Sequence, residues 1–100
     1  MIEMKRDEAL RALRQERKEL AERYHVASLA LFGSVARDEA RSDSDVDILV
    51  EFSQPVGLFL FIELQQELEK LLGCKVDLGT PRSLKPRIKE QVLREAIHVP

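Results

Sequence analysis

The sequence has one cysteine, no tryptophan, and no apolar run approaching the roughly 18 residues of a membrane span. A single thiol, Cys74, rules out an internal disulfide framework and suits a reducing compartment. No signal-peptide pattern opens the chain, so a soluble, cytoplasmic protein without membrane attachment is expected. An excess of charge of one sign is missing too. Sixteen basic against 18 acidic residues leave a formal net charge of -2 and a pI near 5.7. That balance gives no bulk electrostatic pull toward nucleic acid, which is not expected as a direct substrate. There are no internal repeats or low-complexity segments. With 100 residues, 44% of them hydrophobic, residues 1–100 are read as one domain around one core. No room remains for a second domain to grip a large substrate, so an acceptor must bring its own scaffold.

What the sequence does contain is a clear succession of periodicities. Residues 3–24 place Leu10, Leu13, Leu20, Ala21 and Tyr24 at helical spacing among mixed charges, with Glu16 and Arg17 interrupting the stripe. The apolar run 26–32 predicts a buried strand. A short helix is expected over 34–38 with Ser34 as its N-cap, followed by a polar loop at 39–43. Residues 45–52 predict a second strand, with Asp45, Asp47 and Leu49 on one face and Val46, Ile48 and Val50 on the other. After a break at 53–57, Phe61, Leu64, Leu68, Leu71 and Leu72 predict a helix over 58–72, closed by Gly73. A third short strand is expected at 74–78, with Cys74 as a small buried hydrophobe at its start. Pro86 is placed to open a last helix near 86–96, packing through Ile88, Val92, Leu93 and Ala96. The fold class is α/β (α+β): a small mixed three-stranded sheet flanked by about four helices.

Chemistry concentrates in the stretch 31–50. A strand ending in Gly33-Ser34 at the mouth of a helix offers free backbone N–H groups to an anion. Ten residues later, Asp45 and Asp47 stand at i and i+2 of a strand, on one face about 7 Å apart. Asp77, between core-facing Val76 and Leu78, can join them if the second and third strands are neighbours. Three carboxylates so close repel unless cations neutralise them. Mg²⁺ suits such hard oxygen donors, Mn²⁺ being possible, and two ions would serve the attacking and departing oxygens. Arg37, one helical turn beyond Ser34, is placed to reach the same anion. The basic run Arg82, Lys85, Arg87 and Lys89 is either a solvated helix start or a contact for a triphosphate or acidic partner. His25 and His98 show no ligand spacing.

These residues resemble the pattern of the minimal nucleotidyltransferases, small members of the DNA polymerase beta superfamily. That pattern is Gly-Ser, ten residues, then Asp-x-Asp, met here by Gly33, Ser34, Asp45 and Asp47, with Asp77 as the later strand aspartate. The likeness extends through Gly33-Ser34-Val35-Ala36-Arg37 to the closing Val92-Leu93-Arg94-Glu95-Ala96. It departs at Asp38, where the family often has glycine. The resemblance implies a nucleotidyltransferase fold and a place in a toxin–antitoxin pair. The usual partner is a small helical HEPN-type ribonuclease, whose tyrosine receives AMP from ATP.

The reading is therefore a Mg²⁺-dependent nucleotidyltransferase acting on a partner protein. Asp45, Asp47 and Asp77 would be the catalytic and metal-holding residues, and Gly33, Ser34 and Arg37 would bind the nucleotide. Two rivals stay open here. One is a non-catalytic antitoxin that neutralises its partner by covering it. The other is a transferase acting on nucleic acid, against which the acidic pI and the missing second domain count.

Overall fold

A computed structural model describes residues 5–39 and 45–100. The expected loop at 39–43, with Asp43 and Ser44, lies almost wholly outside the described residues, as does the start of the first helix at 3–4. Among the described residues four helices and four strands alternate. They are α1 (Arg6–Tyr24), β1 (Val26–Phe32), α2 (Gly33–Ala36), β2 (Val46–Phe52), α3 (Leu58–Leu72), β3 (Val76–Gly79), α4 (Pro86–Glu95) and β4 (Ile97–Val99), with a 3-10 turn at Pro81–Ser83. The sheet order is β3-β2-β1-β4, with β2 parallel to β3 and both other pairings antiparallel.

One sheet face carries the core. Leu29, Leu31, Val46, Ile48, Val50 and Val99 are fully buried there, against Ala9, Leu13 and Leu20 of α1 and Leu64 and Leu68 of α3. The apolar stripe of α1 thus works as expected. Its interruption has a use, because Arg17 donates to the carbonyls of Val26 (3.3 Å) and Ala27. The β1–β2 register shifts between Val26 and Ser28, a bulge that frees carbonyls and re-aims the strand. Val26, Leu29 and Leu31 consequently all reach the core, although Val26 and Leu29 are three residues apart.

The helix over 58–72 stands as read, and Gly73 closes it in the left-handed region at φ 70. Three expectations are corrected. The sheet has four strands, because Ile97–Val99 leaves α4 and pairs beside β1; three residues are too few for their alternation to register. The third strand starts at Val76, and Cys74 sits half-buried in the turn before it. The face of α4 expected to pack does so only in part: Val92 and Ala96 are half-buried, whereas Ile88 and Leu93 remain 47% and 46% exposed and no residue of the helix is fully buried. Amphipathic spacing records an apolar stripe but not whether anything covers it.

Candidate active site

The site grows from the turn between β1 and α2. Phe32 leaves the strand in extended conformation, and Gly33 follows at φ 74. Glycine is required here twice over. The left-handed φ disfavours any side chain, and a Cβ at Gly33 would lie 2.0 Å from Asp47 Oδ2. The backbone of the turn therefore rests against the carboxylate of Asp47, and the two halves of the motif form one unit.

Ser34 is half-buried in the first turn of α2. The N-cap position expected for it is occupied by Phe32, and no side-chain hydrogen bond caps the helix. The N–H of Arg37 ends the helix on the carbonyls of Gly33 and Val35. Asp38 follows at φ 60, and its N–H bonds the Val35 carbonyl at 3.0 Å. That left-handed position accounts for the glycine often found there, and aspartate is among the few other residues that tolerate it. The Arg37 guanidinium pairs with Glu39 (3.6 Å) and with Glu95 of α4 (3.7 Å). It is near enough to favour the charged form of Asp47, yet two carboxylates already hold it.

Parallel pairing sets Asp47 directly beside Asp77, as Val46 stands beside Val76. Asp45 is exposed just before β2, Asp47 is half-buried, and Asp77 is exposed. Burial, the charge of Asp77, a hydrogen bond shared with Asp77 and the charge of Asp45 together push the Asp47 carboxyl up to about 6. Among the described residues no three His, Cys, Asp or Glu side chains are already gathered as a ligand set. The close pair is Asp47 and Asp77, and Asp45 acts on it from farther off. Two hard oxygen donors whose repulsion is this strong fit a divalent cation of the Mg²⁺ kind.

Asp77 is held in place by residues that periodicity does not single out. β3 is an edge strand, and α3 satisfies its outer edge. Gln65 donates to the Val76 carbonyl at 3.0 Å, and Glu69 accepts from the Val76 N–H at 3.0 Å. The visible signal was a polar pair four residues apart, each next to a core leucine (Leu64 and Leu68). In the basic run Arg82, Lys85 and Arg87 are exposed and Lys89 is half-buried, and ion pairs among the described residues involve Arg6, Arg23 and Arg37 instead. A cavity of about 790 Å³ lies between the β2–α3 connection and Pro81, lined by Phe52, Pro55 and Phe61. It opens at the end of β2 remote from the acids.

Among the described residues no helix is long and apolar enough to cross a membrane. The chain is 51% identical over 87 residues to the protein adenylyltransferase MntA of Thermococcus cleftensis, spanning 87% of this chain and 88% of that one. It superposes on the structure of a minimal nucleotidyltransferase with a TM-score of 0.78 at 47% identity, covering 94% of this chain and 95% of the other. A toxin–antitoxin complex crystallised with AMP-PNP matches with a TM-score of 0.69 at 25% identity, over 86% of this chain and 71% of that one. The family model described as the nucleotidyltransferase domain matches residues 10–99. That span takes in the Gly33 turn, the paired aspartates and the late strand alike, and the chain belongs to the nucleotidyltransferase domain family.

Proposed function

We propose that this enzyme transfers AMP from ATP to a tyrosine hydroxyl of a small helical HEPN-type toxin, acting as that toxin's antitoxin in the cytoplasm. The observation that carries the reading is the direct opposition of Asp47 and Asp77, with the Gly33 backbone against Asp47. The adenylyltransferase relative and the AMP-PNP-bound toxin–antitoxin structure support AMP as the group moved and a protein as its acceptor.

Asp45, Asp47 and Asp77 would hold two Mg²⁺ ions, with Mn²⁺ as a substitute. Bound there, the ions supply charge neutralisation at the attacking and departing oxygens. The rest falls to the chain. Backbone N–H groups at Gly33 and Ser34, with the Ser34 hydroxyl, take the β and γ phosphates. Arg37 joins them once it is released from Glu95. Asp77, the exposed member of the pair, faces the acceptor hydroxyl and receives its proton. The hydroxyl oxygen forms a bond to the α-phosphorus, the bond from phosphorus to the bridging oxygen breaks, and pyrophosphate leaves. Orientation and charge complementarity account for most of the acceleration.

The test uses the chain with its partner protein and labelled ATP. Asp77→Asn should keep the fold, the complex and much of the nucleotide affinity. Labelling of the partner should fall by a factor on the order of a hundred, and protection at substoichiometric amounts should fall with it. A wild type that protects only one-to-one and labels nothing would replace the enzyme by a covering antitoxin.

A further inference from the structure

A cavity of about 190 Å³ lies on the same sheet face as Asp47, and neither the motif nor the proposed chemistry uses it. Its floor is Ser28 and Ala30 of β1 with Leu49 of β2, Leu93 of α4 overhangs it, and Glu51 and His98 stand at its rim. Leu49 is the next residue after Asp47 on that face, one repeat of about 7 Å along the strand. The bulge between Val26 and Ser28 turns Ser28 and Ala30 toward this face, and their small side chains leave the space open. The volume is below the roughly 300–1,000 Å³ of a site that swallows a whole drug-sized ligand. It suits one fragment of a ligand anchored elsewhere.

We propose that this cavity is the nucleobase subsite and that Glu51 reads an amino group on the base. The inference rests on the nucleotidyl-transfer reading above. A triphosphate held at Gly33 and Ser34, at the end of β1, leaves its nucleoside to run along β1 and β2. The acceptor approaches from the other side, over Asp77 on β3. Leu49 and Leu93 supply apolar walls for a flat ring, and the exposed Glu51 carboxylate, opposite Ser28 in the β1–β2 register, can only accept hydrogen bonds when ionised. Adenine offers a 6-amino donor to such a rim, whereas the 6-oxo group of hypoxanthine does not. A site built to receive a donor at the 6-position disfavours an analogue that presents an oxygen there and keeps a donor only at N1.

The experiment compares binding of ATP, ITP and inorganic tripolyphosphate to the full chain by calorimetry, each with Mg²⁺. Wild type should bind ATP at least tenfold tighter than tripolyphosphate, and ATP more tightly than ITP. Ala30→Leu fills the floor and should bring ATP down to the tripolyphosphate level while tripolyphosphate binding stays unchanged. Since Ala30 lies in a central strand, Glu51→Ala provides a surface variant with little risk to folding. It should erase the preference of ATP over ITP and leave tripolyphosphate alone. Equal wild-type affinity for ATP and tripolyphosphate, or full ATP affinity in folded Ala30→Leu, overturns the base subsite and leaves the catalytic reading standing. If wild type binds none of the three, the nucleotide reading itself falls and takes the subsite with it.

Discussion

On the sheet face covered by α1 and α3, β2 presents Val46, Ile48 and Val50, all fully buried. On the opposite face the same strand presents Asp47, Leu49 and Glu51, where α4 and Pro81 of the 3-10 turn cover Leu49 and leave Asp47 half-buried and Glu51 exposed. β3 repeats the division, with Val76 and Leu78 inward and Asp77 outward. A period of two lets adjacent residues serve opposite ends, the core on one side and the candidate site on the other. The division matters because two carboxylates forced together are costly, and a half-solvated face makes that cost tolerable while a closed core would not. The core face anchors the strands, so the repulsion at Asp47 and Asp77 does not push them apart.

Substitutions that separate the two faces should have opposite signatures. The largest loss of stability is expected from Ile48→Ala, a cavity at the centre of the covered face costing about 2–5 kcal/mol. Chemical denaturation should register it, and transfer per folded molecule should stay normal. If Ile48→Ala impaired chemistry out of proportion to unfolding, the separation of faces would be lost.

Asp47→Asn, one residue away, should do the reverse. AMP transfer should fall by roughly a hundredfold or more, the scale of removing one preorganised charge contact. Its melting temperature at pH 7 without metal should equal or exceed that of the wild type, since a repelled charge has gone. A large drop in stability would mean that Asp47 supports the fold as well as the site.

A smaller effect sharpens the comparison through pH. The folded-state pKa of Asp47 is raised to about 6 by burial and Asp77, against about 3.9 unfolded. The folded state therefore holds this proton more tightly. The corresponding stability is complete below the unfolded value and is lost as pH rises through about 6. Without metal, moving from pH 7 to pH 5 should raise the melting temperature by roughly 2–5 °C, after allowance for solvent screening. Glu16, raised chiefly by its hydrogen bond to Glu19, acts in the same direction, so the contribution of Asp47 is the part missing in Asp47→Asn. Saturating Mg²⁺ and ATP should flatten the slope. A slope identical in wild type and Asp47→Asn would place its origin elsewhere.

The smallest effect concerns the helix over the open face. Glu95→Gln removes one of the two exposed partners of Arg37, at a stability cost under about 1 kcal/mol. With Arg37 freer to meet phosphate, affinity for tripolyphosphate with Mg²⁺ should rise about twofold to threefold. No change would leave Arg37 as a tether for α4 rather than a phosphate contact.

The sequence by itself determined the local elements of this protein and the spacing of its candidate site. Periodicity placed α1, β1, β2 and α3, because each buries a stripe long enough for its repeat to be counted. Gly33, Ser34, Asp45 and Asp47 stood out because their spacing fits one strand–turn–helix–strand unit, and Gly73 because a helix end favours glycine. Tertiary structure decided everything that depends on partners distant in sequence. Only the parallel pairing of β2 with β3 brings Asp77 beside Asp47, and only the reach of Gln65 and Glu69 from α3 fastens that edge. Ile97–Val99 is a strand because β1 offers it an edge, a fact three residues cannot announce. The apolar stripe of α4 was legible, but its exposure was not, since a stripe records what a helix can bury and the surrounding chain decides whether anything covers it.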